Sequence, residues 1–155
     1  TQLETYYFPR YLYDYHNLLQ SMALGNFKDF AHEMGKSTSM LLFLNGVQSN
    51  KYEPNENYAR ELYELFTLGR DNGYTQRDIE ETARALTGWN GIDIWGYPIQ
   101  YIKEYWDEGE KTIFGQTGNW GYDDVTKVLF DQRKDQIAQF ICFKPSHVAI
   151  FSADC

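Results

Sequence analysis

Two glutamates, Glu61 and Glu64, stand one turn apart near mid-chain, and Asn57 precedes the first by a further turn. On a helix these three side chains fall within about sixty degrees of one another. Two carboxylates so placed could hold a hard cation through oxygen ligands, or could push one pKa up far enough to make a general acid or base. Arg60 stands among them and could hold an anionic group, as could Arg84 further on; Asp107 and Lys111 could complete such a pocket from a separate loop. The same residues also have a plainer use. Glu56 with Arg60, and Arg60 with Glu64, are i,i+4 pairs that contribute about 0.2–0.5 kcal/mol each on a solvated helix face. A third arrangement gathers Arg60, Glu61, Glu64 and Arg84 into a buried network joining two helices, sensitive to every member because a buried charge without its partner is costly.

The element that must position these groups is Asn55–Gly69. Asn55 can cap its first turn and Gly69 can close it in the left-handed region. Tyr58, Ala59, Leu62, Leu65 and Phe66 then share one side, while Asn57, Arg60, Glu61, Glu64 and Thr67 share the other. Upstream, Pro9 opens a core helix carrying Tyr11, Leu12, Tyr15, Leu18, Leu19 and Met22. Asn26 caps a second helix that Gly35 stops, and Ser37–Ser39 start a third that is apolar all round and so predicted buried. Downstream, Thr75 with Asp78 predicts a boxed helix start, and Glu80 with Arg84 an i,i+4 pair on its outer side. Asp123 caps a helix through Phe130, and a last helix carries Ile137, Phe140 and Ile141.

Between them, 89–122 changes character. All four tryptophans (Trp89, Trp95, Trp106, Trp120) fall there among seven glycines and prolines, and the β-prone runs 99–105 and 111–114 around Asp107–Glu110 predict a hairpin. Exposed rings at Trp95 and Trp106 could stack on a glycan, although an irregular lobe also needs large side chains for a core of its own. The expected fold is therefore mainly α, a multi-helix bundle with a small Trp/Gly-rich loop and β-hairpin insertion. Residues 1–155 are expected to form a single helical domain whose hairpin lobe covers about 89–121.

Several classes of function are disfavoured. A formal net charge of −8 without a local Lys/Arg cluster would repel nucleic acid. No apolar run is long enough for a membrane span. His16 and His32 lack the spacing of metal ligands, Cys142 and Cys155 lack CxxC pairing, and a calcium loop around Gly73 would need Leu68 and Ile79 as ligands. No nucleotide loop, dinucleotide fingerprint or nucleophile elbow is present, so neither a metal nor a cofactor is expected.

Five blocks carry a resemblance. They are Ala23–Phe27, Met40-Leu41 with Leu44–Gly46, Asn55–Leu62 with Glu64-Leu65, Gly73–Thr75, and Ala83–Trp89. In order and spacing they are similar to the middle section of the bacterial domain-of-unknown-function family 1800, over roughly residues 15–142. The resemblance implies a largely helical part of a longer, often exported protein, periplasmic or secreted, with no established activity. It also marks departures: Trp106 stands where the family commonly has His before Asp-x-Gly-x-Lys, and the chain after Cys142 no longer follows the family, as for a truncated or altered C-terminus. The resulting expectation is a non-catalytic binding domain engaging a partner protein or glycan, and its rival a carboxylate-based or metal-assisted hydrolase.

Overall fold

The structure is a computed structural model that describes residues 9–90 and 99–143. Trp95 and Cys155 therefore lie outside the described residues. In chain order the helices are α1 (Pro9–Met22), α2 (Phe27–Lys36), α3 (Thr38–Phe43), α4 (Glu56–Glu61), α5 (Gln76–Ala85) and α6 (Tyr122–Phe143). Short 3-10 turns occupy Gly46–Gln48 and Lys103–Tyr105. Strand β1 (Trp89–Asn90) pairs antiparallel with β2 (Gln100–Tyr101), and β3 (Lys111–Ile113) with β4 (Gln116–Gly118). The mainly α fold expected from the sequence is the one observed.

Local signals set most helix starts. Asn26 accepts from the Lys28 and Asp29 amides, Ser37 from Met40, and Asn55 from Asn57. Thr75 and Asp78 cap each other's backbone in a reciprocal box, and each such cap stabilises its helix by about 1 kcal/mol. The core beneath joins Leu41 and Leu44 to Tyr58, Tyr63, Ile79, Leu129 and the hairpin residues Ile113 and Phe114.

The central helix departs from its expected course after Glu61. Leu62–Thr67 is a π-helix, in which each residue advances fewer degrees than in an α-helix, so the buried face slips. Thr67, expected on the polar side, is fully buried and donates to the Leu62 carbonyl at 2.6 Å. Leu65, expected in the core, is 52% exposed. The element still closes at Gly69 (φ +88°), whose amide and that of Leu68 both donate to the Tyr63 carbonyl. A Cβ there would also lie 2.8 Å from the Phe140 ring.

Other expectations need correction. Helix α1 has an apolar stripe but buries none of its residues. Helix α2 runs past Gly35 to Lys36, because Gly35 packs under two tyrosine hydroxyls rather than ending the turn. Helix α3 buries Leu41 but leaves Phe43 55% exposed. The runs 99–105 and 111–114 do not pair with each other. β2 returns to Trp89–Asn90, while β3 turns back at once through Phe114 (φ 49°) and Gly115 (φ 77°), the two positive φ values that a tight hairpin turn requires. The last two expected helices are both present and run on as α6, separated by a break at Arg133, whose angles are non-helical. Its first turn is held by Asp124, which accepts from the Gly121 amide, rather than by Asp123.

Candidate functional site

The polar stripe of α4 is spoken for by its neighbours, with one exception. The Asn57 side-chain amide donates to the Leu44 carbonyl at 3.1 Å, tying α4 to the end of α3. Arg60 reaches Glu56 at 3.0 Å, Glu64 at 3.5 Å and the Gln76 side chain at 3.0 Å, and Gln76 in turn donates to Glu56. Arg60 and Glu56 are each more than one-third exposed, so their pair contributes little beyond local order. Glu64 lies against the Tyr74 phenol. Burial raises that phenol, the Asp71 amide it accepts from acts the other way, and the Glu64 carboxylate raises it further. Glu61 is the exception: it is half-buried and forms no hydrogen bond or ion pair among the described residues.

A second cluster joins α5 to the hairpin lobe. Arg84 holds Asp107 with a two-pronged grip, Nε to Oδ2 at 2.8 Å and Nη2 to Oδ1 at 3.2 Å. Its remaining nitrogen donates to both oxygens of Glu81 and to the Glu110 carbonyl. Arg84 therefore pairs at i−3 with Glu81, not at i−4 with Glu80 as the sequence suggested. The guanidinium holds the Asp107 carboxyl below its usual range, and the carboxylate raises Arg84 in return. Asp107 also accepts from the Gly109 amide at 2.8 Å, and its own amide donates to Thr87.

Lys111 is almost wholly buried, 1% exposed, although it carries an ammonium. It donates back into its own loop, to the Asp107 and Gly109 carbonyls, with the Asn119 side-chain oxygen at 3.5 Å. Its Nζ lies 4.8 Å from the centre of the Trp106 ring, a cation–π distance. Burial lowers the Lys111 pKa, and the Asp107 charge offsets part of that. Trp106 is thereby half-buried against Lys111, and its indole N–H is buried without an acceptor among the described residues.

Two residues that sequence reasoning did not nominate complete this clasp. Asp78 accepts from the Phe114 amide at 2.7 Å while it caps its own helix, and Glu81 accepts from the Thr112 amide at 3.0 Å. Asp78, Glu81 and Arg84 recur every three residues along one side of α5 and grip β3, its turn and the preceding loop. That spacing was the available signal. Among the described residues no hydrogen bond or ion pair joins Arg60, Glu61 or Glu64 to Arg84, Asp107 or Lys111, so the nominated residues form two groups.

A third polar group lies where α2 meets α6. Asp123 pairs with Lys36 at 2.6 Å and with His32 at 2.8 Å, and His32 also meets Glu33. The Lys36 ammonium, then the His32 ring, hold the Asp123 carboxyl below its usual range. Beneath them the Tyr58 and Tyr122 hydroxyls meet at 3.1 Å, and Tyr122 donates to the His32 carbonyl. His16 is exposed. Among the described residues, no three His, Cys, Asp or Glu side chains are grouped to hold a metal.

Two largely apolar openings lie near these groups. A cleft of ≈ 310 Å³ lies between α1, α2 and the π-helix, lined by Tyr15, Phe27, Phe30, Tyr58, Leu65 and Phe66 among others. A neighbouring groove of ≈ 420 Å³ runs between the start of α2 and the second half of α6. Glu61, Glu64 and Asp107 line neither.

A family model described as a protein of unknown function, DUF1800, matches residues 1–146. The chain belongs to DUF1800. Comparison with curated proteins and with solved structures returned no match. In this DUF1800 chain the Asp107–Lys111 run closes the α5 clasp, with the Asp107 carboxylate held by Arg84 and the Lys111 amine donating to carbonyls of its own loop. Among the described residues no helix is long and apolar enough to cross a membrane. Cys142 is disulfide-bonded.

Proposed function

We propose that this chain is a non-catalytic helical binding domain of an exported or envelope-associated bacterial protein, and that it engages a partner protein through the cleft between α1, α2 and the π-helix. The observation that carries this reading is the contrast between its polar and apolar surfaces. Arg60, Arg84, Asp107 and Lys111 are engaged inside the molecule, whereas the cleft is open and no residue of α1 is fully buried. Apolar surface left exposed in this way marks interaction sites more often than it serves stability. The π-helix adds support, because such ladders cost stability and recur at functional sites; here it turns Leu65 outward at the cleft. The disulfide at Cys142 fits an oxidising compartment.

A glycan partner has less support, since Trp106 is packed against Lys111. The hydrolase reading rests on Glu61 alone, because Glu64 is engaged by Arg60.

The test is a photo-crosslinking amino acid placed at Leu65 in the cleft, with Leu24, 96% exposed, as control. A partner adduct of defined mass at position 65, absent at 24 and lost on Tyr15→Asp, is expected. Equal labelling at both positions, or none at 65, refutes the cleft as the binding surface. A folded Glu61→Gln variant that loses a measurable hydrolytic activity would put the enzyme in its place.

A further inference from the structure

The walls of the α1–α2 cleft restrict the shape of what can enter it. Every lining residue stands on a helical element, from Tyr15 on α1 and Phe27 and Met34 on α2 to Met40 on α3, Leu65 on the π-helix and Ile141 on α6. Backbone groups in such walls are taken up by their own ladders, so the lining offers no strand edge. An extended segment pressed into the cleft would bury unpaired N–H and C=O groups, each costly to desolvate, whereas a helix satisfies its own and presents side chains alone. Met34 and Met40 suit that use, because a flexible thioether adapts to an irregular apolar face. Through Phe27 and Ile141 the cleft runs on into the groove between α2 and α6, so the apolar track is longer than a single anchor residue needs.

Glu61 sets the charge of such a helix. It stands three residues after Tyr58 and four before Leu65, both of which line the cleft, and those spacings make it their neighbour at the cleft's edge. The adjoining cation, Arg60, is committed to Glu56, Glu64 and Gln76. Glu61 itself is half-buried and has no hydrogen bond or ion pair among the described residues. A partner seated over the cleft strips water from this carboxylate, and a covered charge left unpaired is strongly destabilising. The net charge of −8 adds attraction for a cation at longer range. The same carboxylate disfavours an anionic acyl chain, which the apolar lining alone would accept. We infer, on the reading that the cleft receives a partner protein, that the partner inserts one amphipathic helix bearing a Lys or Arg a turn away from its apolar anchors, paired with Glu61.

The experiment is fluorescence anisotropy on the full chain with synthetic peptide probes of equal length. They are an amphipathic helix with leucine anchors and flanking lysines, its twin with glutamate for lysine, and a copy of the first broken by central prolines. The basic helix should bind at least about tenfold tighter than either other probe. Its binding should be lost on Ala31→Trp, which fills the cleft from a half-buried position on its wall, and a photo-crosslinking residue at position 65 should capture it; should Ala31→Trp not fold, that crosslink alone places the probe. Glu61→Gln should shrink the preference for lysine over glutamate to about twofold and Glu61→Lys should reverse it. Glu104→Lys, at an exposed site with the same change in net charge, should leave it within about twofold of wild type. The inference is overturned if no probe binds at about 1 mM, if the proline-broken probe binds equally, if binding survives Ala31→Trp, or if the lysine preference is unmoved by Glu61→Gln or moved as far by Glu104→Lys. Any of these beside a partner-protein adduct at position 65 removes the charged helix and keeps the cleft as the binding surface; absence of that adduct removes both.

Discussion

Replacing Gly35 with alanine probes the most crowded glycine among the described residues. A Cβ at this position would lie 1.8 Å from the Tyr58 hydroxyl and 2.2 Å from that of Tyr122. Neither ring can step aside, since Tyr58 is 4% and Tyr122 9% exposed, and both hydroxyls are committed, to each other and onward to the His32 carbonyl. Forcing a methyl into such a site costs about 1–3 kcal/mol. Losing one or both hydrogen bonds adds about 1 kcal/mol each, and alanine's better helix propensity returns about 0.5–1 kcal/mol. The net expectation is a loss of about 2–3 kcal/mol, or roughly 5–10 °C in Tm for a chain of this size. Urea unfolding followed by circular dichroism measures it, and a cycle with Tyr58→Phe/Tyr122→Phe isolates the cause. Without the hydroxyls the nearest remaining contact is the Tyr58 ring carbon at 3.1 Å, so Gly35→Ala should cost at least 1 kcal/mol less in that background. An equal cost in both backgrounds would show that the hydroxyls are not what excludes a side chain, and would refute the packing argument.

The α5 clasp yields three further expectations. Arg84→Lys keeps the charge but loses the two-pronged grip on Asp107 and the link to Glu81, so a loss of about 2–3 kcal/mol in urea unfolding is expected; a change below about 0.5 kcal/mol would mean that the clasp does not hold the lobe. Lys111→Met keeps the stem against Trp106 but strips the donor from the Asp107 and Gly109 carbonyls, and about 1–3 kcal/mol should be lost, a result contradicted by wild-type Tm. Acid should also weaken the fold. Asp107 and Asp123 both have folded pKa values lowered by their cationic partners. Their contribution is therefore complete above the ordinary aspartate value near 3.9 and is lost as pH falls through the lower folded values. The urea midpoint should stay level from pH 7 to about 5, then drop, and Asp107→Asn should flatten that drop; an unchanged acid limb would remove Asp107 as a contributor.

What the sequence made legible here was punctuation and pattern. Asn26, Ser37, Asn55 and the Thr75–Asp78 box name their helix starts because a cap is a local interaction, complete within four residues. The π-helix was not legible for the opposite reason. Leu62–Thr67 reads as continuous amphipathic α, and what makes the ladder slip lies far away in sequence: Tyr63 packs against Tyr74 and Phe114, and Gly69 against Phe140. That slip exchanged Thr67 and Leu65 between core and surface, and with them the element's exposed face.

The candidate site follows the same division. Residue types nominated Arg84 from a helix and Asp107 and Lys111 from a loop as parts of a pocket, yet could not say that Lys111 would turn back onto its own loop or that Asp107 would have both oxygens taken. Those facts depend on a strand pairing that the β-prone runs misrepresented. Once β3 turns at Phe114-Gly115, its amides at Thr112 and Phe114 fall to Glu81 and Asp78, and the acidic side of α5 becomes the edge partner of a hairpin. Charge in this chain is thus used mainly to join a small, irregular lobe to a helix, in a place where apolar burial alone would not fix the register. Among the described residues the nominated Glu61 is left unengaged and the apolar cleft stands open, and these are the two places at which to look first for an activity.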